Sequence, residues 1–334
     1  MHKFDEIPAA TDLSRMHDAG VGVVRFQLTW RQVEPNAPDD TPVIGTGHTY
    51  DWSAPDEIVR RVVSAGLRAH FVVYGTPAWI NRDQRAPAIA TQADRDNWAA
   101  FLTAAAQRYG TGGDFFVENP EVPNKSVRDW QIWNEENSSV RYLPKVDPAG
   151  YAQLVRIASG ALNGVDPGIR VILGGMFGTP GTPGSMAAWD YLQALYKTPN
   201  FASSYDMVAV HPYSPDLYGV RYQIQKIRRV LRKNNDAGRK MQITEVGWSS
   251  ASPRADGHLF VGQRGQARLL RQSFKMFMKK RHRWHLRRVI WFSWRDPDAV
   301  VSDCTFCARS GLLRNGGKPK RAFRQYLKVT GGSG

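Results

Sequence analysis

Residues 127–137 read Val-Arg-Asp-Trp-Gln-Ile-Trp-Asn-Glu-Glu-Asn, an apolar-rich run that ends abruptly in polar residues. The run predicts a short buried strand, which places the carboxylate of Glu135 at a strand end instead of on a solvated helix face. A glutamate at a strand end is more often a surface residue than a catalyst. Its significance therefore depends on a partner carboxylate elsewhere in the chain.

The rest of the chain repeats this strand in alternation with helices. Predicted strands cover about residues 21–30, 67–75, 127–135, 169–175, 206–213, 241–248 and 288–294, each followed by a helical segment. Strands alternating with helices predict βα units in one parallel sheet. The fold class expected is therefore α/β, a (β/α)8 TIM barrel. A doubly wound open sheet is the competitor, but no Gly-x-Gly-x-x-Gly follows any of these strands.

The first barrel strand is expected to be truncated or atypical, because only Met1 to Phe4 precede the first predicted helix. No linker or composition break divides the chain, so residues 1–330 are predicted to form a single catalytic barrel domain. Residues 331–334, Gly-Gly-Ser-Gly, are interpreted as an added tail.

A net charge of +15 predicts attraction to anionic polymers or surfaces. Much of it lies in residues 221–240 and 268–288, where the first segment predicts an amphipathic helix with a basic outer side. That side is either a solvated face or a surface for an acidic polysaccharide, the cell envelope or nucleic acid. Nucleic acid is disfavoured, because no zinc-finger, recognition-helix or ribonucleoprotein motif accompanies the charge. No apolar run is long enough for a membrane span.

The two cysteines, Cys304 and Cys307, are three positions apart near the C-terminus. A zinc site would need two further ligands, and none is apparent. A local disulfide in a secreted or envelope-associated protein is the first interpretation, and two reduced thiols are the alternative. A cytoplasmic location stays open.

Residues 241–248, Met-Gln-Ile-Thr-Glu-Val-Gly-Trp, supply the partner carboxylate. By strand parity, Glu245 is expected on the side of Met241 and Ile243, facing the barrel axis. Because barrel strands deliver their C-terminal ends to one rim, Glu135 and Glu245 are expected to face each other across the mouth. Two carboxyl groups in unlike environments are what glycoside hydrolysis requires. Arg25, a charged residue on one face of an otherwise buried strand, needs a partner and is a candidate to keep Glu245 ionised.

These segments resemble the clan A retaining glycoside hydrolases, and most closely glycoside hydrolase family 39. The resemblance is carried by Trp-Asn-Glu at 133–135, Thr-Glu-Val-Gly-Trp at 244–248, His-Pro-Tyr at 211–213, Tyr-Asp-Trp at 50–52, Gly-Thr-Pro-Ala-Trp at 75–79 and residues 290–296. It extends from about residue 12 to residue 328. The order and spacing of the motifs, more than any one of them, make coincidence improbable.

The resemblance implies roles for individual residues. Glu135 would be the general acid/base, Glu245 the nucleophile, and Asn134 the residue that holds the sugar 2-hydroxyl. Arg25, His211 and Tyr213 would orient or tune the nucleophile. Trp291 would be the aromatic platform under the sugar. Weaker candidates for further subsites, which could equally pack in the core, are Trp79, Trp248 and Trp294. Neither a metal nor an organic cofactor is implied.

One departure concerns Glu136, which stands where many relatives have Pro. An adjacent carboxylate would raise the pKa of Glu135 if it pointed inward, and would do little if it pointed to solvent. The function expected is cleavage of a poly- or oligosaccharide by double displacement. The substrate could be an anionic polymer, and no obligate protein partner is inferred. The alternatives are a catalytically silent glycan-binding barrel and a basic envelope- or polyanion-binding protein. The sugar, linkage, anomer, endo or exo action and oligomeric state are not fixed by the sequence.

Overall fold

The structure is a computed structural model that describes residues 9–39, 47–253, 258–298 and 304–333. Ten α-helices occur in these ranges: α1 (Ala10–Asp18), α2 (Trp30–Val33), α3 (Ser53–Ser64), α4 (Gln92–Tyr109), α5 (Asp114–Glu118), α6 (Pro148–Val165), α7 (Ala188–Leu195), α8 (Leu217–Lys233), α9 (Gly262–Lys280) and α10 (Arg321–Thr330). Short 3-10 helices cover Phe201–Ser204 and Thr305–Arg309. None of the helices in the described ranges is both long and apolar enough to cross a membrane.

The strands form one parallel sheet, and they are β1 (Val23–Thr29), β2 (Arg68–Tyr74), β3 (Asp129–Ile132), β4 (Arg170–Leu173), β5 (Met176–Phe177), β6 (Met207–His211), β7 (Lys240–Val246) and β8 (Leu286–Trp291). Their order is β1-β2-β3-β4-β6-β7-β8, with β5 beside β6. A helix follows nearly every strand and packs on the outside of the curled sheet. The predicted α/β barrel fold class is confirmed.

Residue type decides which face of the sheet each side chain occupies. Register places Phe26, Phe71 and Trp130 side by side on three adjacent strands, where the rings touch one another and Tyr109 of α4. This apolar row faces the helices. Arg25, one residue from Phe26, therefore faces the barrel interior, as its strand alternation predicts.

The sheet is open between β1 and β8, which are its two edge strands in the described residues. A cavity of about 390 Å³ lies in this gap, bordered by the start of β1 and by residues 288–294. A gap in this position agrees with a truncated first barrel strand. The predicted strand at Met1 to Phe4 itself lies outside the described residues.

The C-terminal helix packs beside α1 and α9. Gly331 ends α10 in the left-handed conformation, and the backbone N–H of Ser333 donates to the carbonyl of Asp18. Residues of the predicted tail therefore contact α1. The single domain over residues 1–330 stays a prediction.

Candidate active site

Glu135 lies in an irregular turn directly after β3. Trp133 and Glu135 have φ angles of 71° and 54°, in the left-handed region that costs non-glycine residues about 1 to 3 kcal/mol each. Hydrogen bonds offset this cost, because the Trp133 backbone N–H donates to Val73 and the Glu135 N–H donates to Gly174. The Trp133 indole also donates to the carbonyl of Arg141. The turn therefore holds Glu135 in a fixed position at the rim.

Glu245 reaches the same rim through an irregularity in β7. Met241 and Ile243 pack in the main apolar core, whereas the Gln242 amide contacts Met207 in a small separate cluster of the interior. Simple alternation would thus turn Glu245 toward the helices. The pairing of β7 with β8 shifts register between Ile243 and Val246, and the shift returns Glu245 to the cleft.

The two carboxylates are close together. Glu135, His211 and Glu245 each have a side-chain atom within 4.8 Å of the others. Retaining glycosidases hold their carboxyl groups about 5 to 5.5 Å apart, and inverting enzymes about 6.5 to 9.5 Å. An approach within 4.8 Å is slightly shorter than the retaining separation and well below the inverting one.

Arg25 connects three groups of the site. Its guanidinium donates from Nη1 to Glu245 Oε1 at 2.7 Å and from Nη2 to Asn134 Oδ1 at 2.6 Å, and Nε donates to Gln131 Oε1 at 3.2 Å. Gln131 in turn donates to the carbonyls of Trp133 and Gly174 at the turn that carries Glu135. One buried cation therefore positions residues from both catalytic strands.

The environment of Glu245 favours its charged form. Burial opposes ionisation, but His211 and Arg25 attract the charge and the Tyr213 hydroxyl donates to Oε2 at 2.8 Å, so the pKa of Glu245 lies below its ordinary value. Burial raises the pKa of Tyr213 well above its ordinary value, and the charge of Glu245 adds to this. Tyr213 therefore remains a hydrogen-bond donor to Glu245.

His211 lies between the two carboxylates. Its Nδ1 is 2.9 Å from Glu135 Oε1, and its Nε2 is 3.0 Å from Thr244 Oγ1 and 3.7 Å from Glu245 Oε1. Glu135, His211 and Glu245 are also the described residues that together could hold a metal ion. Because Arg25 is already paired with Glu245, the charge of that carboxylate is compensated without a metal.

A cavity of about 220 Å³ opens above the carboxylates. Its walls carry four aromatic rings, with Tyr213 in ring contact with Phe177, Phe292 and Phe306. The loop at 178–184 contributes residues 180–182 to the rim. Hydrogen bonds from Ser139 tie this loop to the Glu135 turn.

The predicted tryptophans do not gather in this cavity. Trp291 and Trp294 border the cavity in the gap between β1 and β8, which Arg25 and Glu245 also line. Trp291 contacts Trp248 and Phe274 of α9. Trp248 is fully buried, so it has no surface to offer a sugar. Trp79 packs edge-on against Trp30.

Phe292 is the neighbour of Trp291 on the cleft side of β8. Arg288 is the register partner of the inward-facing Gln242, so alternation along β8 turns Ile290 and Phe292 inward and Trp291 outward. The role of Trp291 as the platform under the sugar stays a prediction, since Trp291 and Glu245 line the same gap cavity. Phe292 lines both the cleft and the gap cavity.

Sequence reasoning missed four site residues: Gln131, Arg141, Phe292 and Phe306. Gln131 could have been found, since it is two positions from Asp129 on a strand whose inner face is fixed by the barrel. Phe292 needed the correct register of β8. No pattern in the sequence indicates Arg141 or Phe306, which reach the site through irregular loops.

Glu136 is fully buried behind the Glu135 turn. Burial raises its pKa to about 8, and the charge of Glu135 adds to this. The backbone N–H groups of Glu136 and Gly174 and the hydroxyl of Tyr151 lie near this carboxyl group and oppose the rise in its pKa. Of the two orientations considered from the sequence, the solvent-facing one is therefore wrong.

The fold is similar to known glycoside hydrolase structures. A family 39 glycoside hydrolase from Bacteroides cellulosilyticus WH2 matches with a TM-score of 0.65 and 20% identity, over 98% of this chain and 63% of that one. A monomeric beta-xylosidase from Caulobacter crescentus CB15 matches with a TM-score of 0.66 and 18% identity, over 99% and 66%. A GH5_18 protein from Bifidobacterium longum subsp. infantis matches with a TM-score of 0.68 and 15% identity, over 99% and 75%.

No protein-family model and no curated protein sequence matches this chain. The chain spans slightly under two thirds of the length of the family 39 protein and of the beta-xylosidase. At these identities the similarity establishes a shared architecture. The resemblance to clan A glycoside hydrolases, most like family 39, is thus confirmed at the level of the fold.

Proposed function

We propose that this chain is a retaining glycoside hydrolase that cleaves a poly- or oligosaccharide. The observation that carries the proposal is the pair Glu135 and Glu245, whose carboxylates face each other within 4.8 Å in unlike surroundings. Glu245 is buried and held by Arg25 and Tyr213, while Glu135 borders the open cavity. Glycoside hydrolysis with retention requires two carboxyl groups, one that donates a proton and one that is ionised.

In the first step the ionised Glu245 attacks the anomeric carbon while Glu135 donates its proton to the departing glycosidic oxygen. The bond between that carbon and the leaving oxygen breaks, and a covalent glycosyl-Glu245 ester forms. In the second step Glu135 removes a proton from water, whose oxygen attacks the same carbon and releases Glu245. Both carboxyl groups end as they began, and the anomeric configuration is retained.

Asn134 supports substrate binding in this scheme. Its Oδ1 accepts from Arg25, which fixes the orientation of the amide. The amide NH2 is then free to donate to a sugar hydroxyl beside Glu245. Arg25 binds both Glu245 and Asn134, so a movement of one of these side chains affects the position of the other.

We propose that the preferred sugar is anionic, on the basis of Arg141. This side chain borders the cavity and is 19% exposed, and its Nε lies 3.7 Å from Glu135 Oε2. In the described part of the chain its guanidinium makes no hydrogen bond, so its donors are available for a carboxylate or sulfate. Arg141→Gln should lower kcat/KM on a uronate-containing substrate about tenfold or more, since charge-assisted hydrogen bonds contribute about 1.5 to 3 kcal/mol. An equal loss on the matched neutral substrate would contradict this assignment.

The stereochemical course tests the proposed reaction. Proton NMR of the first sugar released from an active substrate should record the same anomer as the substrate before mutarotation. Release of the opposite anomer would overturn the double-displacement mechanism. Binding of glycans without any cleavage, across neutral and acidic substrates, would favour the glycan-binding alternative instead.

A second function, polyanion binding, is favoured by a pocket on α8. Four arginines, Arg228, Arg229, Arg232 and Arg283, line about 180 Å³ there without an acidic neighbour among the lining residues. Binding of a sulfated or phosphorylated polymer should weaken strongly from low to moderate salt. A double variant Arg229→Gln/Arg232→Gln should weaken binding further, without changing turnover of a short oligosaccharide. Binding that does not weaken as the salt concentration rises would contradict electrostatic binding of a polyanion at this pocket.

We also propose that the protein acts outside the cytoplasm. The structure pairs Cys304 and Cys307 in a disulfide. Disulfides persist in oxidising compartments and are rare in the cytosol. Quantifying free thiols in protein isolated from its native source would test this, and two free thiols would count against export.

A further inference from the structure

The disulfide lies in the wall of the candidate active site. Cys304, Phe306 and Cys307 all line the cavity that contains Glu135 and Glu245. They belong to a short segment, residues 304–309, which we name the disulfide turn. A cross-link between residues three apart adds little to the stability of a large barrel, since the constraint grows with the length of the closed loop. Its position at the cleft indicates that the disulfide acts on the geometry of the cleft rather than on the stability of the fold.

The two ends of the disulfide turn are held differently. At its later end, the carbonyl of Arg309 accepts hydrogen bonds from Ser250 and Lys320, and Gln266 donates to the carbonyls that follow. At its earlier end, the described contacts join Cys304 to Cys307 through the disulfide and a hydrogen bond from the Cys307 backbone N–H. The disulfide therefore connects Cys304, the first residue of the turn, to Cys307, whose carbonyl accepts from Ser310 at the anchored end.

Phe306 stands between the two cysteines. Its ring is 5.2 Å from the ring of Tyr213 and 6.1 Å from that of Phe292, centroid to centroid. Tyr213 donates to Glu245, so Phe306 is one residue removed from the nucleophile. It is half-buried and retains a surface toward the cavity. An aromatic ring at this place can pack against the apolar face of a sugar.

We propose that Phe306 is a substrate-contacting residue that sets sugar affinity, and that the Cys304–Cys307 disulfide is a positioning bond that holds Phe306 at the cleft. The inference rests on the proposed glycosidase function and deepens it. Phe306 binds the sugar ring in both the ground state and the transition state. Its loss therefore raises KM and leaves kcat nearly unchanged.

The test combines one substitution with reduction. Wild type and Phe306→Ala are assayed with and without a phosphine reductant, and mass spectrometry verifies that the disulfide has opened. Phe306→Ala should raise KM roughly three- to tenfold, the size expected for one aromatic contact. Reduction of the wild type should raise KM by a similar factor. Reduction of Phe306→Ala should add nothing, because the disulfide acts through that ring.

Two comparisons make the outcome decisive. Phe306→Tyr keeps the ring and should restore both the low KM and its sensitivity to reduction. Cys304→Ser/Cys307→Ser should reproduce reduced wild type, with thermal unfolding recorded to verify that the barrel is intact. An unchanged KM after verified reduction, or an equal effect of reduction on Phe306→Ala, would overturn the inference. If oxidised wild type cleaves no substrate and labels no carboxylate, the proposed function itself fails.

Discussion

At the scale of single residues, the two adjacent glutamates of the Trp-Asn-Glu-Glu segment have separate environments. Glu135 borders the cavity and contacts His211, whereas Glu136 is fully buried in the core. A fully buried carboxyl whose pKa is raised to about 8 is neutral at neutral pH. Of these two adjacent glutamates, Glu135 is the one that lines the cavity, and the proposed function assigns the proton exchange to it.

Glu135→Gln should lower kcat about 10² to 10⁴-fold on substrates with poor leaving groups, the usual contribution of a general acid. On a substrate whose good leaving group departs without protonation, azide should restore turnover, since this small nucleophile attacks the glycosyl-Glu245 intermediate without a general base. Glu136→Gln is the matched control and should keep nearly the wild-type kcat. A larger loss in Glu136→Gln than in Glu135→Gln would reverse the assignment.

Arg25→Met should shift the acidic limb of the pH dependence of kcat/KM to higher pH. Arg25 is one of the groups that lower the pKa of Glu245, so its removal raises that pKa and the nucleophile becomes protonated at a higher pH. Arg25→Lys keeps a positive charge and should shift the limb less. If the acidic limb of the pH dependence of kcat/KM does not move in Arg25→Met, the titration of Glu245 does not determine that limb.

At the scale of elements, the barrel rim is built from irregular strand ends. The alternation of strands and helices, together with the inward side of β1, predicted the fold class and the position of Arg25. Prediction failed where a strand breaks alternation, because the register shift in β7 reverses the side of Glu245. The inward side of Phe292 on β8 was not foreseen either. A shift of one residue turns every following side chain to the other face, and only cross-strand pairing reveals it.

Phe306 marks another limit of sequence reasoning. Its position depends on contacts of the disulfide turn with Ser250, Gln266 and Lys320, which are remote in sequence. Loop residues carry no periodicity that reports their neighbours. Glutamates at strand ends are predictable because the barrel fixes where those ends meet.

The turn between β4 and β5 supplies a prediction at this scale. Gly175 has a φ of 73°, and a Cβ there would collide with His211 Nε2. Gly175→Ala should destabilise the protein by about 1 kcal/mol or more and should lower kcat, since His211 contacts both catalytic carboxylates. Gly164→Ala, on α6 with open space around it, is the control and should be neutral or stabilising. Denaturant unfolding and turnover of the two variants provide the comparison.

At the scale of the whole molecule, stability should depend on pH through Glu136. The folded-state pKa is about 8 against an ordinary value of 4.5, so the folded protein holds this proton through a range in which the unfolded chain releases it. The resulting stabilisation is complete below about pH 4.5 and is lost as pH rises to about 8. The loss should reach a few kcal/mol, at about 1.4 kcal/mol for each unit of pKa shift.

Glu136→Gln removes this titration while it keeps the shape of the side chain. The free energy of unfolding of the variant, relative to wild type, should therefore increase from pH 5 to pH 8. Urea unfolding at several pH values measures the difference. A difference that does not change with pH would mean that Glu136 is ionised in the folded protein.

The proposed mechanism requires a covalent bond between Glu245 and the sugar. Incubating the protein with a panel of 2-deoxy-2-fluoro glycosyl inactivators and mapping the adduct by mass spectrometry tests for this bond. One glycosyl adduct per chain is expected, on the peptide that contains Glu245, and no adduct is expected in Glu245→Gln. Labelling of Glu135 or of another residue, by a sugar that the protein also hydrolyses, would contradict the mechanism.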